Sequence, residues 1–345
     1  MKNIKVLGID LAKTIFQLHG SDKTGKKVFS KRVSREKLAE TIANLPPCLI
    51  GMEACASAHY WARKFEGSGH TVKLMAPQFV KPYVKSNKND KNDAAGIAEA
   101  VSRPEMRFVP IKRIEQQDML LVHRARELVI KQRTAQGNQI RGLLAEYGVI
   151  IPKGIAHIRK QLPALEKGAG DLTDNSLEIV TLLYEQFKQL DDQVKIYDKK
   201  INQQVAKDAR CVALMKIEGV GELTATAMVG MIGDGKDFKN GRELSAWLGL
   251  VPKQHSSGNK TVLLGISKRG DRYMRKLLVH GGRSVVRTCA EKTDSRSQWI
   301  LDKKLRCGEN IAAVAVANKN ARIIWAMLSS GECYRQATET TSEAA

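Results

Sequence analysis

The sequence predicts a mixed α/β domain at the N-terminus followed by a mainly helical remainder. Three observations carry this. Short β-branched and apolar runs, broken by turn residues and two helical stretches, fill residues 5–75. Long, breaker-poor runs with helical periodicity fill the middle, and apolar helices alternate with glycine turns toward the C-terminus.

The first strand, Lys5-Val6-Leu7-Gly8-Ile9-Asp10, runs straight into an acid. Residues 14–20 read as a second strand. The turn Ser21-Asp22-Lys23-Thr24-Gly25-Lys26 leads to a third over 27–33, short spacings that make antiparallel hairpins. Ser34 stands where it can cap a helix over 35–45, whose Leu38, Ile42 and Leu45 share one face, and Pro46-Pro47 stops it. A fourth strand over 48–53 ends in Glu53; a helix over 59–65 and a fifth strand over 71–75 follow. The order β-β-β-α-β-α-β is that of a ribonuclease H-like sheet.

In that topology the first and fourth strands are central neighbours, so Asp10 and Glu53 emerge side by side at one sheet edge, where open α/β sheets bind ligands. The helix after the fifth strand adds Asp90 and Asp93, three apart and therefore on one side of a helical turn. Each acid alone reads as a cap or a solvated surface group. Together, four converging carboxylates repel one another and call for a cation. Oxygen-only ligands favour Mg²⁺ or Mn²⁺, and paired divalent ions about 4 Å apart serve phosphoryl transfer on nucleic acid.

The chain has 345 residues, enough for two or three domains, and a formal net charge of +21. That surplus points to a polyanion, with nucleic acid the first candidate. Aromatics make up only 5%, which argues against base stacking as the main binding device. No basic amphipathic helix suits a membrane surface, and no apolar run is expected to reach the roughly 18 residues of a membrane span. The first residues carry Asp10 within their apolar stretch and do not read as a signal peptide. Six cysteines without metal-ligand spacing read as reduced thiols, so a cytoplasmic location is expected.

Residues 116–147 form a long basic helix. A second long helix carries Val180, Phe187, Val194 and Ile201 at one heptad position and Leu183, Leu190 and Tyr197 at another, the seam of a coiled coil or of a helical hairpin. Ile217-Glu218-Gly219-Val220-Gly221-Glu222, before an apolar helix over 223–232, resembles a helix-hairpin-helix whose glycines free amides for a DNA phosphate; a tight turn between packed helices is the plainer reading. Between Lys253 and Arg287 nine cations, among them Lys253, Lys260, Lys268, Arg269, Arg272 and Arg275, face one acid, Asp271. That density is an electrostatic footprint for backbone phosphates. Within it, Ser256-Ser257-Gly258 reads as a flexible glycine loop with two candidate nucleophiles. Residues 311–328 form an apolar helix, and the polar tail from Arg335 is expected to be disordered.

The blocks GIDLAK, GMEACAS, KNDKNDAAGIAEA, IEGVGELTA, WLGLVPKQHSSGNK and GISKRGDRYMRKLLVHGGR together resemble the DEDD transposases of the insertion sequence 110 family, the later blocks its 1111 subgroup. The resemblance spans nearly the whole chain, in order. It implies a RuvC-like domain over 1–112 with Asp10, Glu53, Asp90 and Asp93 as metal-binding tetrad and a mainly helical transposase domain over 209–332, to which the residues themselves add a helical coiled-coil segment over 113–208 and a tail over 333–345. It further implies that Ser257 attacks a DNA phosphate to form a covalent phosphoserine, with Ser256 the adjacent candidate. Donor and target DNA would be paired by a structured bridge RNA, and the protein would act as a tetramer in the prokaryotic cytoplasm, near the nucleoid.

Two other classes compete. A hydrolytic RuvC-type endonuclease or junction resolvase needs only the four acids and leaves the last third of the chain without a role. An actin-like or sugar-kinase ATPase shares the strand followed by Gly-Ile-Asp, but the second phosphate loop and adenosine site it requires are missing from the sequence.

Overall fold

The computed structural model describes residues 3–85, 89–165, 170–258 and 260–334. The tail from Arg335 lies outside the described residues. The chain divides into two compact units, Met1–Ile114 and Glu115–Ala345, and the helical segment expected as a domain of its own belongs to the second.

In the first unit six strands form one sheet: β1 (Val6–Asp10), β2 (Ile15–Ser21), β3 (Lys27–Ser34), β4 (Leu49–Glu53), β5 (Thr71–Met75) and β6 (Phe108–Val109). Their spatial order is β3-β2-β1-β4-β5-β6. β1 runs parallel to β4 and β4 parallel to β5, while β2, β3 and β6 are antiparallel to their neighbours. The helices are α1 (Arg35–Ala43), α2 (Ala58–Glu66), the short α3 (Pro77–Val80) and α4 (Asp90–Val101). The expected order of elements holds, with β6 an addition at one edge. Ser34 precedes α1 in extended backbone, yet its hydroxyl makes no capping bond, so the expected side-chain cap is absent.

Strand alternation decides what each face of the sheet does. Leu7 and Ile9 of β1, with Ile50 and Met52 of β4, enter a core built with Leu38 and Ile42 of α1 and Trp61 and Phe65 of α2. Trp61 stacks on Phe65 and meets Phe16 edge-on at 5.6 Å. The alternate residues Val6 and Leu49 pack instead with Ile97, Ala100 and Val101 of α4. Between them, Gly8 and Gly51 let α4 approach the sheet backbone. A Cβ at Gly8 would stand 2.2 Å from the Ala94 carbonyl oxygen, and one at Gly51 2.7 Å from the Val101 Cβ.

The second unit is helical apart from one hairpin: α5 (Ile114–Ala145), α6 (Ile155–Leu165), α7 (Asp174–Lys207), α8 (Ala209–Leu214), α9 (Glu222–Ile232), α10 (Gly241–Trp247), the strands β7 (Pro252–Ser257) and β8 (Lys260–Ile266), then α11 (Arg272–Thr288), α12 (Ser295–Cys307) and α13 (Glu309–Ser330). The ion pairs Arg126–Asp198 and Arg133–Asp191 set α5 and α7 antiparallel. Val180, Phe187, Val194 and Ile201 are buried, while the second heptad positions Leu183, Leu190 and Tyr197 are only half-buried. Val180 and Phe187 close on Ile140 and Leu144 of α5 and Ile158 and Leu162 of α6. At Val180 and Phe187 the seam is thus part of an intrachain helical hairpin, covered by α5 and α6.

Two further expectations change. α13 is long and apolar enough to cross a membrane, but half of its most apolar stretch is buried and the helix packs with α9 and α11 in the core. The glycine hairpin between α8 and α9 is a packing device at Gly219: its φ is +81°, and a Cβ there would lie 2.7 Å from the Gly281 carbonyl oxygen of α11. Gly221, at the N-cap of α9, has open space around it.

Candidate active site

Asp10 and Glu53 are the residues that follow the paired Ile9 and Met52 on adjacent parallel strands. Alternation puts both on the face opposite Leu7, Ile9, Ile50 and Met52, which is the face α4 covers. Both are half-buried. Burial first, then the Glu53 and Asp10 carboxylates, push the thiol of Cys55, two residues beyond Glu53, above its ordinary value.

The third contribution arrives by helix capping. Asn89 accepts a hydrogen bond from the Asn92 amide at 2.9 Å and starts α4, so Asp90 and Asp93 fall in its first turn. Both carboxylates also sit favourably at the positive end of the helix. Ala94, next to Asp93, lies over Gly8, two residues before Asp10. Toward the other end of α4, Ala100 and Val101 pack with Val6, at the start of β1. α4 consequently runs antiparallel to β1 and brings its acidic turn to the strand end that bears Asp10. Asp93 is half-buried and Asp90 exposed.

The all-oxygen donor set fits a hard divalent cation. Among the described residues, however, no three His, Cys, Asp or Glu side chains are grouped tightly enough to hold one. The four acids share an end and a face without forming a closed cage.

The second candidate region is not the loop its sequence suggests. Ser256 and Ser257 end β7, in a hairpin that pairs Ser257 with Lys260, Ser256 with Thr261 and His255 with Val262. Gly258 supplies the turn with φ +55°. All of β7 is exposed, as is β8 up to Gly265, so the two strands form an arm. Period-two burial, the usual strand signal, is missing because the arm has no core side. The two serines face opposite ways. Ser256 accepts a 2.9 Å hydrogen bond from Gln254 Nε2 on its own face, and Ser257 shares the other with His255 and Lys260.

The base of the arm is pinned. The amides of Ser267 and Lys268 donate to the carbonyls of Val251 and Gly249. A Cβ on Gly270 would come within 2.1 Å of the Trp247 carbonyl oxygen, so only glycine allows the crossing. Lys253, Lys260, Lys268, Arg269 and Arg272 are exposed around this base and arm. Arg275 differs from them: half-buried, it donates to the Leu248 and Gly270 carbonyls and braces the crossing. Asp271, counted from sequence only as a lone acid among cations, caps α11 through the Met274 amide and pairs with Arg124 at 2.7 Å. Burial works to raise its carboxyl, but these bonds and the Arg124 charge outweigh that and hold it below the usual range.

Comparison with known proteins agrees with this architecture. A DEDD transposase family model of the IS110 kind matches residues 7–149, and the model described as "Transposase IS116/IS110/IS902 family" matches residues 211–298. The transposase for insertion sequence element IS1111A of Coxiella burnetii is 46% identical over 97% of this chain and 92% of its own length. The chain belongs to the IS110/IS116/IS902 family of transposases. The transposase for insertion sequence element IS1328 of Yersinia enterocolitica is 38% identical over 97% of this chain and 99% of its own. This transposase is accordingly a DNA-processing enzyme. The first match carries Asp10, Glu53, Asp90 and Asp93, and the second carries the serine arm.

Proposed function

We propose that this transposase breaks and rejoins DNA strands through a covalent phosphoserine at Ser257, with Asp10, Glu53, Asp90 and Asp93 serving phosphoryl transfer. The observation that carries the reading is the register of β1 and β4, which leaves two carboxylates on neighbouring strand ends under the acidic first turn of α4. Mg²⁺ or Mn²⁺ bound there would withdraw charge from the scissile phosphate. Asp10 and Glu53 would be the fixed ligands because the sheet holds them, and Asp93 and Asp90 would close on the ion from the helix. Exposed Lys253, Lys260, Lys268, Arg269 and Arg272 would hold DNA phosphates beside the arm. A phosphoserine keeps the phosphodiester energy, so a strand can be resealed without an external energy source. By resemblance to the family, a bridge RNA would pair with donor and target DNA and the protein would assemble as a tetramer.

The test is covalent trapping with a labelled suicide DNA substrate, Mg²⁺ and RNA transcribed from the element, resolved on a denaturing gel. A protein–DNA band is expected from the wild type and from S256A, and none from S257A. D10A should abolish cleavage while DNA binding persists. Free cleaved ends with no covalent band would instead favour a hydrolytic nuclease.

A further inference from the structure

We infer that His255 is the general base that takes the proton of Ser257, and that Lys260 on the same face steadies the phosphate under attack. The inference rests on the serine reading above and names two more working groups of that site. Its warrant is the register of the arm.

In a strand, residues two apart project from the same face, with Cα atoms about 6.6 Å apart. His255 and Ser257 are so related within β7. In an antiparallel pair, directly opposed residues also share a face, and Ser257 is opposed by Lys260. One face of the arm tip therefore carries an imidazole, a hydroxyl and an ammonium in a row. An imidazole at that spacing reaches the neighbouring hydroxyl directly or through one water, the range general-base transfer needs. The opposite face carries Gln254, Ser256 and Thr261. A carboxamide cannot accept the proton, and Gln254 already donates to Ser256. The two serines are thus chemically unequal.

The step balances as follows. The Ser257 Oγ–H bond breaks and its proton moves to a ring nitrogen of His255. Oγ forms a bond to phosphorus while the bond from phosphorus to one bridging oxygen breaks, and that oxygen takes a proton from solvent. Resealing runs the same step backwards, with the imidazolium returning its proton to Oγ. Lys260 offsets charge building on the non-bridging oxygens. The charged group on the imidazole's face is Lys260, diagonal to it across the hairpin, while Lys253 lies at the register shift two residues before it. The arm is exposed throughout β7, so changes at His255 leave the fold untouched.

The experiment measures single-turnover adduct formation by the full chain with the suicide substrate and element RNA across pH, for wild type, H255Q, H255A and S257A. Wild type should form adduct faster as pH rises and one proton leaves the enzyme. H255Q should be slower by about 10²- to 10⁴-fold and lose that rising limb, with DNA affinity unchanged. Added imidazole should restore part of the rate to H255A. An H255Q that keeps the wild-type rate and limb overturns the assignment, as does one whose loss of rate follows from weakened DNA binding. An adduct that survives in S257A instead overturns the serine reading itself, so the two failures are distinguishable.

Discussion

Replacing Gly8 by alanine tests whether the approach of α4 to β1 is what builds the acidic site. The added Cβ would stand 2.2 Å from the Ala94 carbonyl oxygen, 2.6 Å from the Ala98 amide nitrogen and 2.9 Å from the Ala98 Cβ. Two of the three are backbone atoms and cannot rotate away. Ordinary contact begins near 3.4 Å, so α4 must withdraw by about 1.2 Å (3.4 less 2.2) or the strand must buckle. Overpacking of this kind costs about 1–3 kcal/mol, and we expect the upper half of that range. Because Asp93 adjoins Ala94, the shift also carries the acidic turn away from Asp10 and Glu53, and cleavage should fall by more than stability alone explains. Gly142→Ala is the matched control. Gly142 lies exposed inside α5 with nothing within 4 Å of an added Cβ, and alanine there should stabilise by about 0.5–1 kcal/mol. The assay is urea unfolding of both variants, followed by DNA cleavage measured without denaturant at a temperature well below either transition. A G8A protein with the wild-type midpoint and full cleavage would refute the reasoning.

Two other perturbations read the second unit. His123 is buried between α9 and α11, within hydrogen-bond distance of Tyr273 Oη at 2.9 Å and Thr226 Oγ1 at 3.0 Å. Burial, aided by Arg126 and Arg124, pushes its pKa down to about 4 from 6.5. The unfolded chain therefore takes up the proton first, so stability is full above about 6.5 and is lost as pH falls toward 4. Thermal unfolding across that window should be flatter for H123Q than for wild type; identical slopes would dismiss the claim. Asp191 accepts bonds from Arg133 and Arg159, and burial, which would raise its carboxyl, is outweighed by those two guanidinium groups. Its lowered value means stability present above about pH 4 and lost as pH drops through the folded value. D191N should cost on the order of 2 kcal/mol at neutral pH, read by urea unfolding, and should blunt the acid loss; no change in midpoint would show the cluster to be a solvated surface pair.

The four acids and the strands that carry them were legible because each lies on an element with a strong local signal. β1, β4 and β5 are short β-branched runs bounded by turns, and Asn89 before Asp90 is a helix start written in the chain. The arm was not legible. β7 and β8 bury almost nothing, so no alternation marks them, and the cations and serines read as a loop. The fold's covered stripe was equally hidden: heptad spacing in α7 says that a face is apolar, and only the position of α5 and α6 says what covers it.

The sequence by itself determined the order of elements, the surplus of positive charge and the types of residue available for phosphoryl transfer, since propensity, periodicity and charge are local sums. The strand order also set Asp10 and Glu53 on neighbouring central strands, and tertiary structure decided the closer meetings. Gly8 lets α4 sit on β1, and the hairpin puts Ser257 on the same strand face as His255 and Ser256 on that of Gln254. Such meetings depend on how closely two backbones approach and on a register in which one residue of slip reverses every face, and neither quantity is a property of any single stretch of chain.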